Sequence, residues 1–261
     1  MNRLSKLQIE ELLKKYSEGK SLTKISRETG ISKGVVYYHI RKKFGRKYKP
    51  VVLNLKDKEK LGEFIGAFAG DGSFFFTKKT YKYEIFFHFS FKETEYAERI
   101  SEISNSLFGK KAYIWFDNKN RTIRVRIMSK VIYKILKRYL SWSGKKSHTI
   151  ALKRNVLNSS LDLLRGIARG LINSDGSVYI PKNRIAFGTV SVKLCKQFSY
   201  ILHKFSINHY IYPVKYKRKK TLYHIHITGL KNLSTFSKKI GITNQYKKSQ
   251  LEILLKKAPM V

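Results

Sequence analysis

The stretch Gly62 to Ser73, GEFIGAFAGDGS, recurs without a gap at Gly166 to Ser177, GIARGLINSDGS, at a constant offset of 104 residues. Gly62, Gly66 and Gly70 fall on every fourth position, and Gly166, Gly170 and Ser174 answer them in the second copy. On a helix, residues so spaced form one stripe. Each glycine in a helix interior costs about 0.8–1 kcal/mol relative to alanine, so a stripe of them needs a compensating contact. Close approach of one helix to the other supplies it. The spacing therefore predicts two helices packed stripe to stripe, with Asp71 and Asp175, each followed by glycine, brought together at their C-terminal ends. Two carboxylates at two negative helix ends raise each other's pKa unless a cation intervenes. A divalent metal fits such hard oxygen ligands. A single Asp-Gly after a helix is commonly only a turn; its repetition behind matching stripes carries the metal reading.

Charge narrows the partner. Lys and Arg number 55 against 17 Asp and Glu, a formal net charge of +38 over 261 residues. Such a field is best matched by a polyanion, with nucleic acid ahead of an anionic membrane surface. The sequence has no long uncharged apolar run, signal peptide or lipidation motif, so an intracellular location, cytoplasmic or nucleoid-associated, is expected, with no membrane partner. With 42% hydrophobic and 13% aromatic residues the chain can bury a core. The lone cysteine, Cys195, excludes an internal disulfide and a cysteine-based zinc site, and reads as a small core residue on a helix.

Residues 1–48 show three short helical patterns: Leu7 to Glu18, Leu22 to Thr29 behind Ser21, and Lys33 to about Phe44 behind Ser32, with Gly30 in the last turn. This resembles a helix-turn-helix DNA-binding unit in which Lys33, Tyr37, Tyr38, His39, Arg41 and Lys42 face the groove or the phosphates. A basic three-helix cap without base readout is the alternative. Residues 49–56 read as a basic linker that could lie along DNA backbone.

Two units follow, residues 57–158 and 159–261, each in the order αββαββα. In the first, Ser73 to Thr80 and Tyr83 to Phe91 suit strands, Lys92 to Gly109 a helix, Ala112 to Phe116 and Thr122 to Met128 a hairpin, and Lys130 to about Leu140 a helix. Arg124 and Arg126 alternate with Ile123, Val125 and Ile127, giving one cationic and one apolar face. The second unit repeats this through a hairpin of Tyr210 to Lys217 and Thr221 to Thr228, and the sequence KKS of Lys145 to Ser147 is echoed at Lys247 to Ser249. The expected fold class is α+β: a duplicated repeat with two antiparallel sheets, plus a small all-α N-terminal domain.

FIGAFAGDG at Phe64 to Gly72 and ARGLINSDG at Ala168 to Gly176 resemble the two motifs of LAGLIDADG homing endonucleases. The resemblance spans roughly residues 57–255. It implies a monomeric, pseudo-twofold enzyme whose motif helices form the central interface and whose two sheets straddle double-stranded DNA. It further implies site-specific cleavage of both strands, with Mg²⁺ or Mn²⁺ held by Asp71 and Asp175, assisted by the carbonyls of Gly70 and Ser174. Aligned strands place His88, and in the second copy Thr189, where family members position a polar, water-holding group; His88 reads equally as a solvated strand histidine. Lys146 and Lys248, with neighbours Lys145 and Lys247, resemble basic residues near the cleavage centre. Candidate DNA contacts are Arg124, Arg126, Lys215, Lys217, Arg218, Lys219, His224 and His226. Two departures stand out: the sixth motif letter is Ala69 in one copy and Asn173 in the other, and Arg165 and Arg169 put two charges on the second motif helix, facing either phosphates or acidic partners. Two other functions use the same scaffold, a non-cleaving transcription regulator and a maturase of intron RNA. The retained aspartates argue against the first of these.

Overall fold

The structure, a computed structural model, describes residues 4–45, 51–215 and 220–256. Three helices open the chain: α1 (Lys6–Ser17), α2 (Leu22–Thr29) and α3 (Lys33–Phe44). Ser5 caps α1 reciprocally with Gln8, Ser21 caps α2, and Gly30 ends α2 in the left-handed conformation that the turn into α3 requires. Leu12, Tyr16, Ile25, Val36 and Ile40 form a hydrophobic cluster of their own.

The remainder is built twice. In the first repeat α4 (Lys58–Ala69) leads into β1 (Gly72–Thr77), β2 (Lys82–Ser90), α5 (Thr94–Phe108), β3 (Tyr113–Asp117), β4 (Thr122–Met128) and α6 (Lys130–Tyr139). A two-stranded pair, β5 (Leu140–Ser141) and β6 (Ala151–Leu152), brackets the short helix α7 (Lys146–Thr149), and α8 (Arg154–Leu157) closes the repeat. The second repeat is α9 (Leu161–Asn173), β7 (Gly176–Tyr179), β8 (Arg184–Thr189), α10 (Val192–Lys204), β9 (Tyr210–Val214), β10 (Leu222–Thr228), α11 (Leu230–Lys239) and α12 (Gln245–Lys256). The sheets share one topology, β1-β2-β4-β3 and β7-β8-β10-β9, all antiparallel.

Alternation sets the faces. Ile85, Phe87 and Phe89 of β2 and Ile123, Val125 and Ile127 of β4 are buried against α4 and α5, as Ile185, Phe187, Ile225 and Ile227 are in the second sheet. Cys195 is buried on α10, within this core.

Three local differences from the sequence reading matter. The end of β1 is not strand: Lys78–Thr80 form a 3₁₀ turn closed by Tyr81 at φ +49°. The KKS echo is not structural, since its first copy lies in a four-residue helix and its second in one of twelve residues. The described part of the expected linker does not run free: Val51 and Leu55 pack on the core, and the Asn54 amide donates to the Leu107 carbonyl at 2.8 Å. Among the described residues no helix is long and apolar enough to cross a membrane.

Candidate active site

The glycine stripes meet backbone to backbone. A methyl group added at Gly62 would stand 2.8 Å from the Ile167 nitrogen, one at Gly166 2.8 Å from the Glu63 nitrogen, and one at Gly170 2.6 Å from the Ala67 nitrogen. Real carbon contacts do not come this close, so α4 and α9 can lie together only where Cβ atoms are missing. That contact delivers Asp71 and Asp175 to one point at the two helix C-termini, close enough to hydrogen-bond each other. Asp71 is half-buried and Asp175 exposed to solvent along part of its side chain. Burial, and then the Asp175 charge, push the Asp71 carboxyl well up. Burial likewise raises Asp175, against the pull of Lys146 and Lys247.

Two ammonium groups answer the pair. Lys146 Nζ donates to the carbonyls of Phe68 (2.7 Å), Ala69 (2.8 Å) and Gly70 (2.8 Å), the last turn of α4. Burial pulls its pKa down to about 8, with Asp175 and Asp71 opposing. Lys247 does the same for α9: its Nζ donates to Ile172 (3.3 Å), Asn173 (2.7 Å) and Ser174, and pairs with Glu93 at 3.3 Å. Cations at helix C-termini complement the macrodipole. The lysine that mirrors Lys146 is thus Lys247; Lys248 is exposed and lines a small cleft with Glu95 and Arg99. Aligning the KKS letters put the partner one residue late, because α12 is already helical before the first lysine.

The donor set fits a divalent cation: two mutually repelling carboxylates, with the carbonyls of Gly70 and Ser174 beside them already drawn to positive charge. Among the described residues no group of three or more His, Cys, Asp or Glu forms a denser metal cluster.

His88, opposite Arg124 in the ladder, is exposed on the first sheet, its Nε2 3.1 Å from Ser73 Oγ and its amide donating to the Asp71 carbonyl. Burial of part of the ring, then Arg124 and Lys146, lower its pKa. The Thr189 side chain is buried and accepts from the Ser191 amide.

The sheet arginines are not free charges. Arg124 pairs with Asp117 at 2.9 Å and lies over Trp115; Arg126 stands 3.6 Å from Glu84 and over Tyr113 and Trp115. His224 and His226 share one face with Tyr210 and Tyr212 across the second sheet, and burial with Arg184 lowers both. Lys215 is exposed after β9; Lys217, Arg218 and Lys219 lie outside the described residues. In the N-terminal unit Lys33 and Tyr38 are exposed, whereas Tyr37 and Arg41 are half-buried. A cleft of about 810 Å³ is lined by Trp142, His148, Lys193 and Lys220 but not by the aspartates.

Arg165 and Arg169 face protein. Both bind Glu59 of α4, Arg165 at 3.3 Å, and Arg165 also holds Asp162 at 2.8 Å. Their Nε atoms donate to the carbonyls of Lys239 (2.9 Å) and Ile240 (2.8 Å), capping α11. A second set, invisible in the sequence, surrounds Glu63: Arg99 grips it through two bonds of 2.8 and 2.7 Å, and Thr243 donates to it at 2.6 Å. Asn173, the sixth motif letter of the second copy, joins it at 3.3 Å and accepts from the amides of Thr243 and Asn244.

Comparison with known proteins gives these features a context. Residues 162–241 match the family described as LAGLIDADG-like domain. The chain is 28% identical over 212 residues to a replication factor C small subunit of Methanocaldococcus jannaschii, covering 80% of this chain and 11% of that protein. It is 33% identical over 119 residues to a probable translation initiation factor IF-2 of the same organism, covering 44% and 10%. The chain thus spans about a tenth of the length of these curated relatives. In structure it resembles I-DmoI, solved in complex with DNA and Mn (TM-score 0.54, 14% identity, 71% of this chain and 98% of that one). It also resembles full-length DUF199/WhiA from Thermatoga maritima (TM-score 0.54, 15% identity, 80% and 64%). At these identities the likeness is one of fold.

Proposed function

We propose that this chain, residues 162–241 of which match the LAGLIDADG-like domain family, is a site-specific, divalent-metal-dependent endonuclease that cuts both strands of duplex DNA. The observation that carries this is the pair Asp71 and Asp175, brought within hydrogen-bond reach by a helix contact in which Gly62, Gly66, Gly166 and Gly170 meet backbone to backbone. Burial raises both carboxyls, and the Asp175 charge raises Asp71 further, so without a cation the pair weakens the fold around it. That is a poor arrangement for a scaffold that only binds and a good one for holding Mg²⁺ or Mn²⁺. Asp71 and Asp175, with the carbonyls of Gly70 and Ser174, would hold the metal; when bound it supplies an activated water and neutralises charge on the departing oxygen.

The chain's own groups do the rest. Lys146 and Lys247 keep positive charge at the centre where phosphate charge grows, and burial makes each worth more than a surface lysine. His88, tied to Ser73 and beside Asp71, orients solvent at one edge. The two open sheet faces, with Arg124 and Arg126 on one and His224 and His226 on the other, form the walls that a duplex lies between, and the chain acts as a monomer because it contains both halves. The curated relatives support a self-contained module: a segment shared with a replication factor subunit and a translation factor, at about a tenth of each, is carried by those proteins rather than defining them.

Likeness to WhiA supports the rival reading, a DNA-binding regulator that does not cut. The deciding experiment incubates the protein with a randomised duplex library in Mg²⁺ or Mn²⁺, and in EDTA, and sequences the ends produced. Metal-dependent cuts in both strands at one site are expected, and Asp71→Asn and Asp175→Asn retain binding without cutting. Tight specific binding with no cleavage of any duplex leaves the regulator. Structured RNA that outcompetes duplex DNA leaves an intron RNA maturase.

A further inference from the structure

We propose that the N-terminal three-helix unit is docked against the outer end of the first sheet and binds duplex DNA there, so that the protein's footprint is one-sided. This rests on the duplex-binding reading above and adds to it a position, a direction and a length.

The placement follows from register. β1 begins at Gly72, next to the aspartate pair, and runs six residues outward to Thr77. At about 3.3 Å per residue the turn beyond it lies about 20 Å from the centre. The C-terminal half of α3 is seated on that turn. The Arg41 guanidinium lies 5.3 Å from the Tyr37 ring centre and 5.6 Å from that of Tyr81. Tyr38 meets the Tyr81 ring edge-on at 6.4 Å, and Lys130 Nζ donates to the Lys42 carbonyl at 2.7 Å, capping α3 from the first repeat. Gly45, buried at φ +86°, turns the chain beside Lys130 and Tyr81 in a conformation that favours glycine. These are short-range contacts from residues at the end of one element to residues at the end of another, and they set the direction of α3 relative to the sheet.

The surface left over is basic. α3 carries Lys33, Arg41, Lys42 and Lys43 and no acidic residue. Glu10, Glu11, Glu18 and Glu28 all lie on or beside α1 and α2, where Lys15 and Lys20 bind Glu28 at 3.0 and 2.7 Å. Lys33, Lys42 and Lys43 are exposed, as are Lys24 and Arg27 of α2. A cationic helix without counter-ions, fixed at the end of a basic sheet, matches the continuing phosphate backbone. Among the described residues no such unit extends the second sheet, whose corresponding turn carries Lys182. The protected arm on the first-repeat side is therefore longer, by about five base pairs if the added reach is that of the 12-residue α3, about 18 Å at about 1.5 Å per residue, with about 3.4 Å per pair.

The test uses the full chain bound to a duplex selected from a random library, with Ca²⁺ present to hold the complex. An iron–EDTA probe is attached through Lys33→Cys, Lys79→Cys or Lys182→Cys in separate proteins, Cys195 being buried. Strand scission from position 33 is expected on the same arm as from position 79, farther from the centre, and on the opposite arm from position 182. Lys33→Ala with Lys43→Ala shortens protection on that arm alone and lowers the slope of log affinity against log salt by up to about 1.8. Scission from position 33 on both arms, or equal arms untouched by the double variant, overturns the inference while leaving duplex binding intact. A library that yields no retained duplex removes the proposed function itself.

Discussion

Gly66→Ala separates the claim that α4 and α9 meet through backbone from the weaker claim that they merely pack. In an ordinary exposed helix the change stabilises by about 0.8–1 kcal/mol. Here the new methyl carbon would stand 3.0 Å from the Gly170 Cα and 3.0 Å from the Leu171 nitrogen, and nearer still to the Ile167 carbonyl. Carbon atoms rest at about 3.5–4.0 Å, so the helices must part by roughly 0.5–1 Å, and every obstructing atom is backbone that no rotamer change can move. Overpacking of this kind costs about 1–3 kcal/mol. Because only backbone stands in the way, the upper part of that range, about 2–3 kcal/mol, applies; less the propensity gain, the net is destabilisation of roughly 1–2 kcal/mol, a fall in thermal midpoint of about 2–8 °C for a unit of this size. Gly34→Ala on α3 is the control, because nothing lies within 4 Å of its added methyl, and it gains about 0.5 kcal/mol. Calorimetry of both variants reads the difference directly. Cleavage in the Gly66→Ala protein should fall further than stability does, since Asp71 and Asp175 move apart with the helices. A midpoint for Gly66→Ala at or above that of the parent would refute the backbone contact.

Lys247→Met should lower cleavage by about 10²-fold, as loss of one charge-stabilising donor does, while Lys248→Met cuts at near the parent rate; single-turnover assays on a selected duplex distinguish them. Arg169→Ala leaves Glu59 with one partner and the Ile240 carbonyl without its donor; urea melts should show a loss of about 1.5 kcal/mol, at the low end for charged hydrogen bonds because Glu59 is a third exposed, with DNA affinity unchanged. Without metal, the raised Asp71 and Asp175 make the folded state bind more protons than the unfolded one, so stability should decline as pH rises above about 4, the ordinary carboxylate range. Lys146, lowered to about 8, acts in the opposite sense only above that pH. Mg²⁺ should restore stability at neutral pH, Asp71→Asn should flatten the pH profile, and thermal melts from pH 4 to 8 check both.

The parts legible in the sequence are those written in a short period. The glycine stripes, the aspartates behind them and the alternation of β4 depend on spacings of four and two along one segment, and the elements follow them closely. What the sequence hides depends on the meeting of segments far apart. Nothing near Arg169 points to Glu59, 110 residues away, or near Asn173 to Thr243 and Glu63. Lys247 was obscured for a different reason: letters repeated while helix phase did not, so the lysine turned inward is one position earlier than the repeat suggests. The seating of α3 on Tyr81 has no sequence signal, because a tyrosine after a lysine-rich turn reads as surface until its partner is known.

The Glu59 contact also determines which halves can marry. Shifted by 104 residues, Arg165 and Arg169 correspond to Leu61 and Ile65, and Glu59 and Glu63 to Leu163 and Ile167. Two copies of the first repeat would set glutamates against aliphatic residues, and two copies of the second would set arginines against them. The four glycines Gly62, Gly66, Gly166 and Gly170 are indifferent to partner, being backbone on both sides. The lock beside them is not, so a protein cut between its repeats should reassemble as one of each, and chimeras drawn from other chains should succeed only when they bring the matching charge.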